Sequence, residues 1–75
     1  MNNVLAMQTN HTQFADIKGM GEPARRALAE AGYGHLEQLV DASEKEFAKL
    51  HGMGPKALRI LGEELARRGL GFKAE

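Results

Sequence analysis

Cysteine is absent from this chain. That excludes a disulfide framework and any thiolate zinc site, so the core must hold by packing alone, which suits a reducing cytoplasm. Long apolar runs are missing as well. None approaches the roughly 20 residues that cross a bilayer, and the opening MNNVLAMQTNHT has no basic stretch followed by an apolar block. The expectation is a cytoplasmic protein with no membrane partner. Net charge is lacking too, ten basic side chains standing against ten acidic ones, which argues against binding polyanions through bulk charge. With 75 residues there is material for one core and not for two.

A recognisable catalytic set is also missing. Nucleophilic or acid–base chemistry needs a nucleophile, a base and an orienting group brought together, and Glu63 and Glu64 read as solvated neighbours rather than such a pair. His11, His35 and His51 stand far apart in the chain, with no cysteine to complete a metal site. The sequence thus predicts a binding domain and not an enzyme, with no metal and no cofactor.

What the chain does have is a repeat. Gly-Met-Gly occurs in IKGMGEPARRAL (Ile17 to Leu28) and again in LHGMGPKALRIL (Leu50 to Leu61), 33 positions apart from Gly19 to Gly52. At that offset Ala24 aligns with Ala57, Arg26 with Arg59, Leu28 with Leu61 and Glu30 with Glu63. Each copy reads as helix, tight glycine turn, helix, and neither half is large enough to close a core by itself. Charge is sorted along the same pattern. Lys18, Arg25 and Arg26 against Glu22 give +2 at the first copy, and Lys49, Lys56 and Arg59 give +3 at the second. Between them, Glu30, Glu37, Asp41, Glu44 and Glu46 against Lys45 give −4, an acidic connector over residues 30–46 that a protein partner can use.

Five helices are expected. Residues 1–10 lack helical periodicity and read as a flexible leader, with the domain over 11–75. Thr12 caps a short helix over Gln13 to Ile17, and Pro23 opens a second whose buried stripe is Ala24, Ala27, Leu28 and Ala31. Leu36, Leu39 and Val40 form a third. Ser43 and Glu46 make a capping box for a fourth, which turns Phe47 and Leu50 inward. Pro55 opens the longest, with Leu58, Leu61 and Leu65 as its seam and Gly69 as its end; Arg67, Arg68 and Lys73 read as a C-capping basic end. No strand pattern is present.

Glycine in a tight turn supplies positive φ without a β-carbon clash, and the apolar residue between two glycines anchors the turn to the core. Because the chain then enters a helix, amides with no intrahelical acceptor point outward with the positive end of the helix dipole. That is an anion site. Such a turn also serves a plain helical hairpin with no ligand, and both readings stand at this point.

The two glycine stretches resemble the helix-hairpin-helix motif, and a pair of them around a connector resembles a double helix-hairpin-helix domain of SAM-like form. GYGHLEQLVDASEKEFAKLHGMGPKALRILGEELARRGLGF further resembles the C-terminal domain of the bacterial RNA polymerase alpha subunit. The resemblance implies an all-α, compact five-helix bundle with two helix-hairpin-helix motifs related by pseudo-two-fold symmetry. It also implies contact with the phosphate backbone of double-stranded DNA, largely without reading sequence. The resemblance implies contacts from the hairpin glycines Gly52, Gly54, Gly19 and Gly21 and from Lys56 and Arg26; Arg59, in the first turns of the last helix, and Lys18, just before the first glycine turn, are added as candidates by their positions beside the hairpins. Pro23 stands where the polymerase family has an arginine that enters the minor groove, and Glu22 sits beside the first hairpin, which makes the second the stronger candidate. A monomer is expected, serving as an accessory factor in transcription, repair or recombination. The alternative is a protein-interaction module of the same fold that does not bind DNA.

Overall fold

The computed structural model describes residues 11–74; the expected leader over 1–10 and the last residue of the expected domain lie outside them. Among the described residues every regular element is helical. There are three α-helices, α1 (Glu22–Glu30), α2 (Glu44–Ala48) and α3 (Pro55–Arg67), and two 3-10 segments, Phe14–Asp16 and Leu36–Asp41. The first and third of the expected helices are therefore 3-10 and not α. Segments this short gain few i to i+4 hydrogen bonds, and the tighter i to i+3 pattern closes them instead.

The elements start and stop where local chemistry dictates. Pro23 and Pro55 lie in the opening turns of α1 and α3, where the missing amide hydrogen costs nothing. Ser43 Oγ accepts from the Glu46 amide at 3.2 Å while the Glu46 carboxylate accepts from the Ser43 amide at 3.4 Å, a complete capping box for α2. Gly32 and Gly69, at φ 96° and 75°, end α1 and α3. The Arg68 guanidinium donates to the Glu64 carbonyl at 2.6 Å and so satisfies one of the last carbonyls of α3. Lys73 does not cap; its amide donates to the Ala42 carbonyl at 2.9 Å, which lays the C-terminal segment over the start of α2.

Below the turns lies one core. Leu28, Leu36, Leu39, Leu61 and Leu65 have no exposed surface, and Phe14, Ile17, Met20, Phe47 and Met53 join them. Leu28 and Leu61, partners in the repeat, share this cluster, as do Met20 and Met53. Phe72 returns to pack on Phe47 with ring centroids 5.5 Å apart, and its ring also lies beside Gly62 of α3. Leu50 and Leu58 are half-buried at the margin. Ala31 departs from the expected stripe: α1 closes at Glu30, and Ala31 is exposed at its end.

Two further expectations are corrected by contacts distant in sequence. Thr12 does not cap the first segment, whose N-cap is Gln13 without a side-chain bond. Instead the Thr12 amide and hydroxyl both donate to the Glu37 carboxylate, at 2.8 and 2.7 Å, and the Thr12 carbonyl accepts from the Leu36 amide at 2.9 Å. His11 and His35 are not separate; their rings stack at 3.9 Å beside this clasp. His35 Nδ1 lies 3.3 Å from Glu37, and Arg68 approaches both Thr12 Oγ1 (3.3 Å) and Glu37 (3.9 Å). Burial pushes the Glu37 carboxyl up, but the hydrogen bonds from Thr12, from its own backbone and from His35 outweigh that and hold it at about 2 instead of 4.5.

A depressed carboxyl stabilises the fold above its unfolded pKa and loses that contribution as pH falls through the folded value. Stability should therefore decline between pH about 4.5 and about 2, by on the order of 1–3 kcal/mol from this group. Glu37→Gln should flatten that part of the curve in urea melts at stepped pH; an unchanged pH profile would refute the clasp.

Backbone strain makes a second prediction. Gly32 and Gly52 have the same positive φ, 96° and 97°. A β-carbon on Gly32 meets nothing within 4 Å, whereas one on Gly52 meets the Pro23 carbonyl oxygen at 2.8 Å. Gly32→Ala should cost about 1 kcal/mol from φ alone, and Gly52→Ala at least about 1–2 kcal/mol more. Equal losses in denaturant titrations would remove the contact between the second hairpin and α1.

Candidate nucleic-acid interface

The two glycine turns have the same construction. Gly19 and Gly52 take positive φ, 91° and 97°, and turn the chain. Met20 and Met53 follow with 5% and 8% exposure, their thioethers anchoring each turn in the core. Gly21 and Gly54 are then the N-caps, both extended, at φ −79° and −102°. The strain-bearing glycine of the second hairpin is thus Gly52 and not Gly54.

A glycine N-cap has no side chain to bond the first amides of the helix, and neither α1 nor α3 has a side-chain cap. The first intrahelical bonds run from Arg25 to Gly21 (3.2 Å) and from Leu58 to Gly54 (3.1 Å). With Pro55 lacking an amide hydrogen, the Lys56 and Ala57 amides open α3 without a side-chain acceptor, at the positive end of a 13-residue helix. Glu22 and Ala24 supply the corresponding amides of α1, on either side of Pro23.

The charged side chains differ between the two turns. Glu22 ion-pairs with Arg25 and lies 3.9 Å from Arg26, so one carboxylate holds both guanidiniums of the first hairpin. Arg59 leans along α3 to Glu63 at 3.5 Å. Lys56 and Lys18 are exposed, and among the described residues neither has a carboxylate within 4 Å. The first turn of α3 contains no acid, whereas that of α1 contains Glu22.

The halves meet at this place. Gly52 lies against the Pro23 backbone, and Gly19 lies against Ile60 of α3, a β-carbon there coming 3.1 Å from its Cδ1. A recess of about 220 Å³ opens at the first of these contacts, lined by Pro23, Arg26, Ala27, Glu30, His51 and Gly52. Arg26 of the first half is thereby set beside Gly52 and His51 of the second. Lys18 and Arg59 do not line this recess. Glu30 does, one helical turn from Arg26; the sequence placed it in the acidic connector, although its i, i+4 spacing from Arg26 put it on the same helix face. No group of three His, Asp or Glu side chains able to hold a metal occurs among the described residues, and no helix there is long and apolar enough to cross a membrane.

Comparison with known proteins agrees with this geometry. Residues 12–68 match the SAM-like helix-hairpin-helix tandem family, and the chain belongs to that family. It is also similar to the UvrABC system protein C of Corynebacterium diphtheriae, 48% identical over 40 residues. That match covers 53% of this chain and 6% of the other protein's length. No solved structure matches the chain.

Proposed function

We propose that this domain binds double-stranded DNA without sequence preference, through phosphates seated at the open helix starts and neutralised by nearby cations. The second hairpin dominates: the Lys56 and Ala57 amides receive a phosphate, Lys56 adds a flexible point charge, Gly54 keeps the approach clear, and Gly52 shapes the turn that presents it. Arg26, across the recess, reaches the neighbouring backbone. The two halves act as a pseudo-two-fold pair within a five-segment helical bundle, with Gly19, Gly21 and Lys18 forming the weaker first site. Arg59 contributes when it leaves Glu63. The domain performs no chemistry of its own, acts as a monomer, and serves as an accessory factor in transcription, repair or recombination, in keeping with its helix-hairpin-helix family.

The observation that carries this reading is the identity of residue 54. Gly54 is extended at φ −102°, a conformation open to any residue, and a β-carbon on it would meet nothing within 4 Å. Neither backbone nor packing asks for glycine there. Ser or Asp at this N-cap would stabilise the helix by about a few tenths of a kcal/mol relative to glycine, but its oxygen would occupy the amides. Glycine leaves them accessible.

Anisotropy titrations with labelled duplexes of unrelated sequence, at two salt concentrations, test the site. Lys56→Glu should weaken binding to every duplex alike and lower the log–log salt slope by about 1–2. Gly54→Asp should raise thermal stability by a few tenths to about 1 kcal/mol while reducing affinity at least about tenfold, because the new carboxylate caps the amides and repels phosphate. Unchanged affinity in both variants would leave the hairpins as turns only.

Glu22 supplies an opposite test. Glu22→Lys removes the carboxylate that holds Arg25 and Arg26 and puts a cation at the first hairpin. Affinity should rise by on the order of 1 kcal/mol, with a steeper salt dependence. A loss of affinity would show that the first hairpin faces away from the ligand.

A further inference from the structure

The cations of this domain are sorted by type. Arg25, Arg26, Arg59, Arg67 and Arg68 each lie within 4 Å of a glutamate. Lys45, Lys49 and Lys73 have no such partner among the described residues, and all three line one groove of about 470 Å³ with Ser43, Glu46 and Ala74. Lys45 and Lys49 are one helical turn apart, at α2 and its C-cap, and so share a face. Lys73 is brought to them from the other end of the sequence. Its amide is bonded to the Ala42 carbonyl, and the preceding Phe72 is packed on Phe47, so the segment that carries it is fixed against α2.

Three lysines lining one groove make it electropositive, and an anion between them would relieve their mutual repulsion. The single carboxylate in the lining, Glu46, is turned back to the Ser43 amide by the capping box. Lysine on a flexible stem suits a phosphate as a point charge, without the planar fork geometry that arginine brings to carboxylates. The lining contains no large apolar side chain and hence no pocket for the anchor residue of a peptide. Lys49 also begins the turn that leads through Leu50 and His51 to Gly52, so the groove adjoins the second hairpin along the chain.

We propose that the Lys45, Lys49 and Lys73 groove is a second phosphate-binding site, which holds a further stretch of DNA backbone next to the second hairpin. Its ligand follows from the DNA-binding reading, but its residues are separate from those of the hairpins. The groove also shows how a chain of zero net charge can engage a polyanion: in the free domain each arginine is paired with a glutamate, whereas Lys45, Lys49 and Lys73 have no carboxylate within 4 Å among the described residues.

The test compares the triple variant Lys45→Gln, Lys49→Gln, Lys73→Gln with the corresponding triple Arg variant and with Lys56→Glu, using labelled duplex DNA across a salt series. A parallel titration uses a polyglutamate peptide. The Gln triple should lose at least about tenfold in affinity and about 2–3 from the salt slope, and the Arg triple should retain both. In wild-type protein, amide resonances of Lys45, Lys49 and Lys73 should shift on adding duplex, a readout independent of how the variants fold. If the Gln triple binds DNA like wild type while Lys56→Glu is weakened, the groove is no DNA site and the hairpin reading stands. If only the Gln triple is weakened, the groove stands and the hairpin reading falls. Loss of polyglutamate binding with DNA binding intact would overturn the proposal in favour of an acidic protein partner, and absence of salt-dependent DNA binding by wild type would overturn both.

Discussion

The backbone of the second hairpin lies directly on the backbone that opens α1, and the arrangement of the domain depends on that contact. Gly52 meets two requirements at once: a positive φ that turns the chain, and a missing β-carbon where one would come 2.8 Å from the Pro23 carbonyl oxygen. Any other residue violates both. The close approach lets Met53 reach the core that Met20 enters from the other half, and it sets Arg26 beside His51 over the shared recess. On the other side Gly19 lies against the tip of the Ile60 side chain, a softer contact in which a β-carbon would come 3.1 Å from Cδ1. Each turn is seated on the helix that follows its counterpart, so each half depends on the other for its position.

Electrostatics follows from this packing rather than from composition. Ten positive and ten negative side chains suggest no preference for an anion, yet the charges have different duties. Glu37 fastens the start of the domain to the Leu36–Asp41 segment through Thr12, and Glu46 completes the α2 cap. Glu22, Glu63 and Glu64 hold arginines. The Glu64 carboxyl is correspondingly lowered, first by its hydrogen bond from Arg68. Of the five carboxylates that give residues 30–46 their acidic balance, two are therefore engaged inside the fold, and Lys45, with Lys49 just beyond, breaks the surface that remains. Exposed ion pairs of this kind add little stability; their effect is to cancel charge locally and leave the lysines unopposed.

Much of this was written locally and could be read from the sequence. The duplicated Gly-Met-Gly, the prolines opening α1 and α3, the Ser43 and Glu46 box and the Gly69 stop each act within a few residues, through φ or through one hydrogen bond. The hairpin part of the candidate site was legible for the same reason, and the Arg26–Glu22 and Arg59–Glu63 pairs lie at i, i+4 spacing. What escaped reading is long-range. Thr12 has the chemistry of an N-cap, and nothing near it announces that its hydroxyl will find Glu37, 25 positions away. The stacking of His11 on His35 depends on that clasp. Gly52 and Gly54 are identical as letters; the first takes the positive φ of the turn, as Gly19 does in the other hairpin, and the second is an extended N-cap. Lys73 looked like a helix-end cation because Arg67 and Arg68 precede it, and its place against α2 depends on Phe72 finding Phe47.

The capping pattern bears most directly on function. The shortest α-helix, five-residue α2, has a full reciprocal cap, while the nine-residue α1 and thirteen-residue α3 begin on glycine with none. Stability supplies a partial reason: a five-residue helix cannot persist without help at its ends, whereas a longer one buried along a leucine seam can. That explains why α3 tolerates an open start, but not why the start is open, since residue 54 has room for a side chain and ordinary backbone angles. Both uncapped starts follow glycine turns, and the one without an adjacent acid has Lys56 in its first turn. A start shaped for stability alone would have a capping side chain; on the proposed reading a phosphate takes the place of that cap, at a start that is clear of β-carbons and has Lys56 in its first turn.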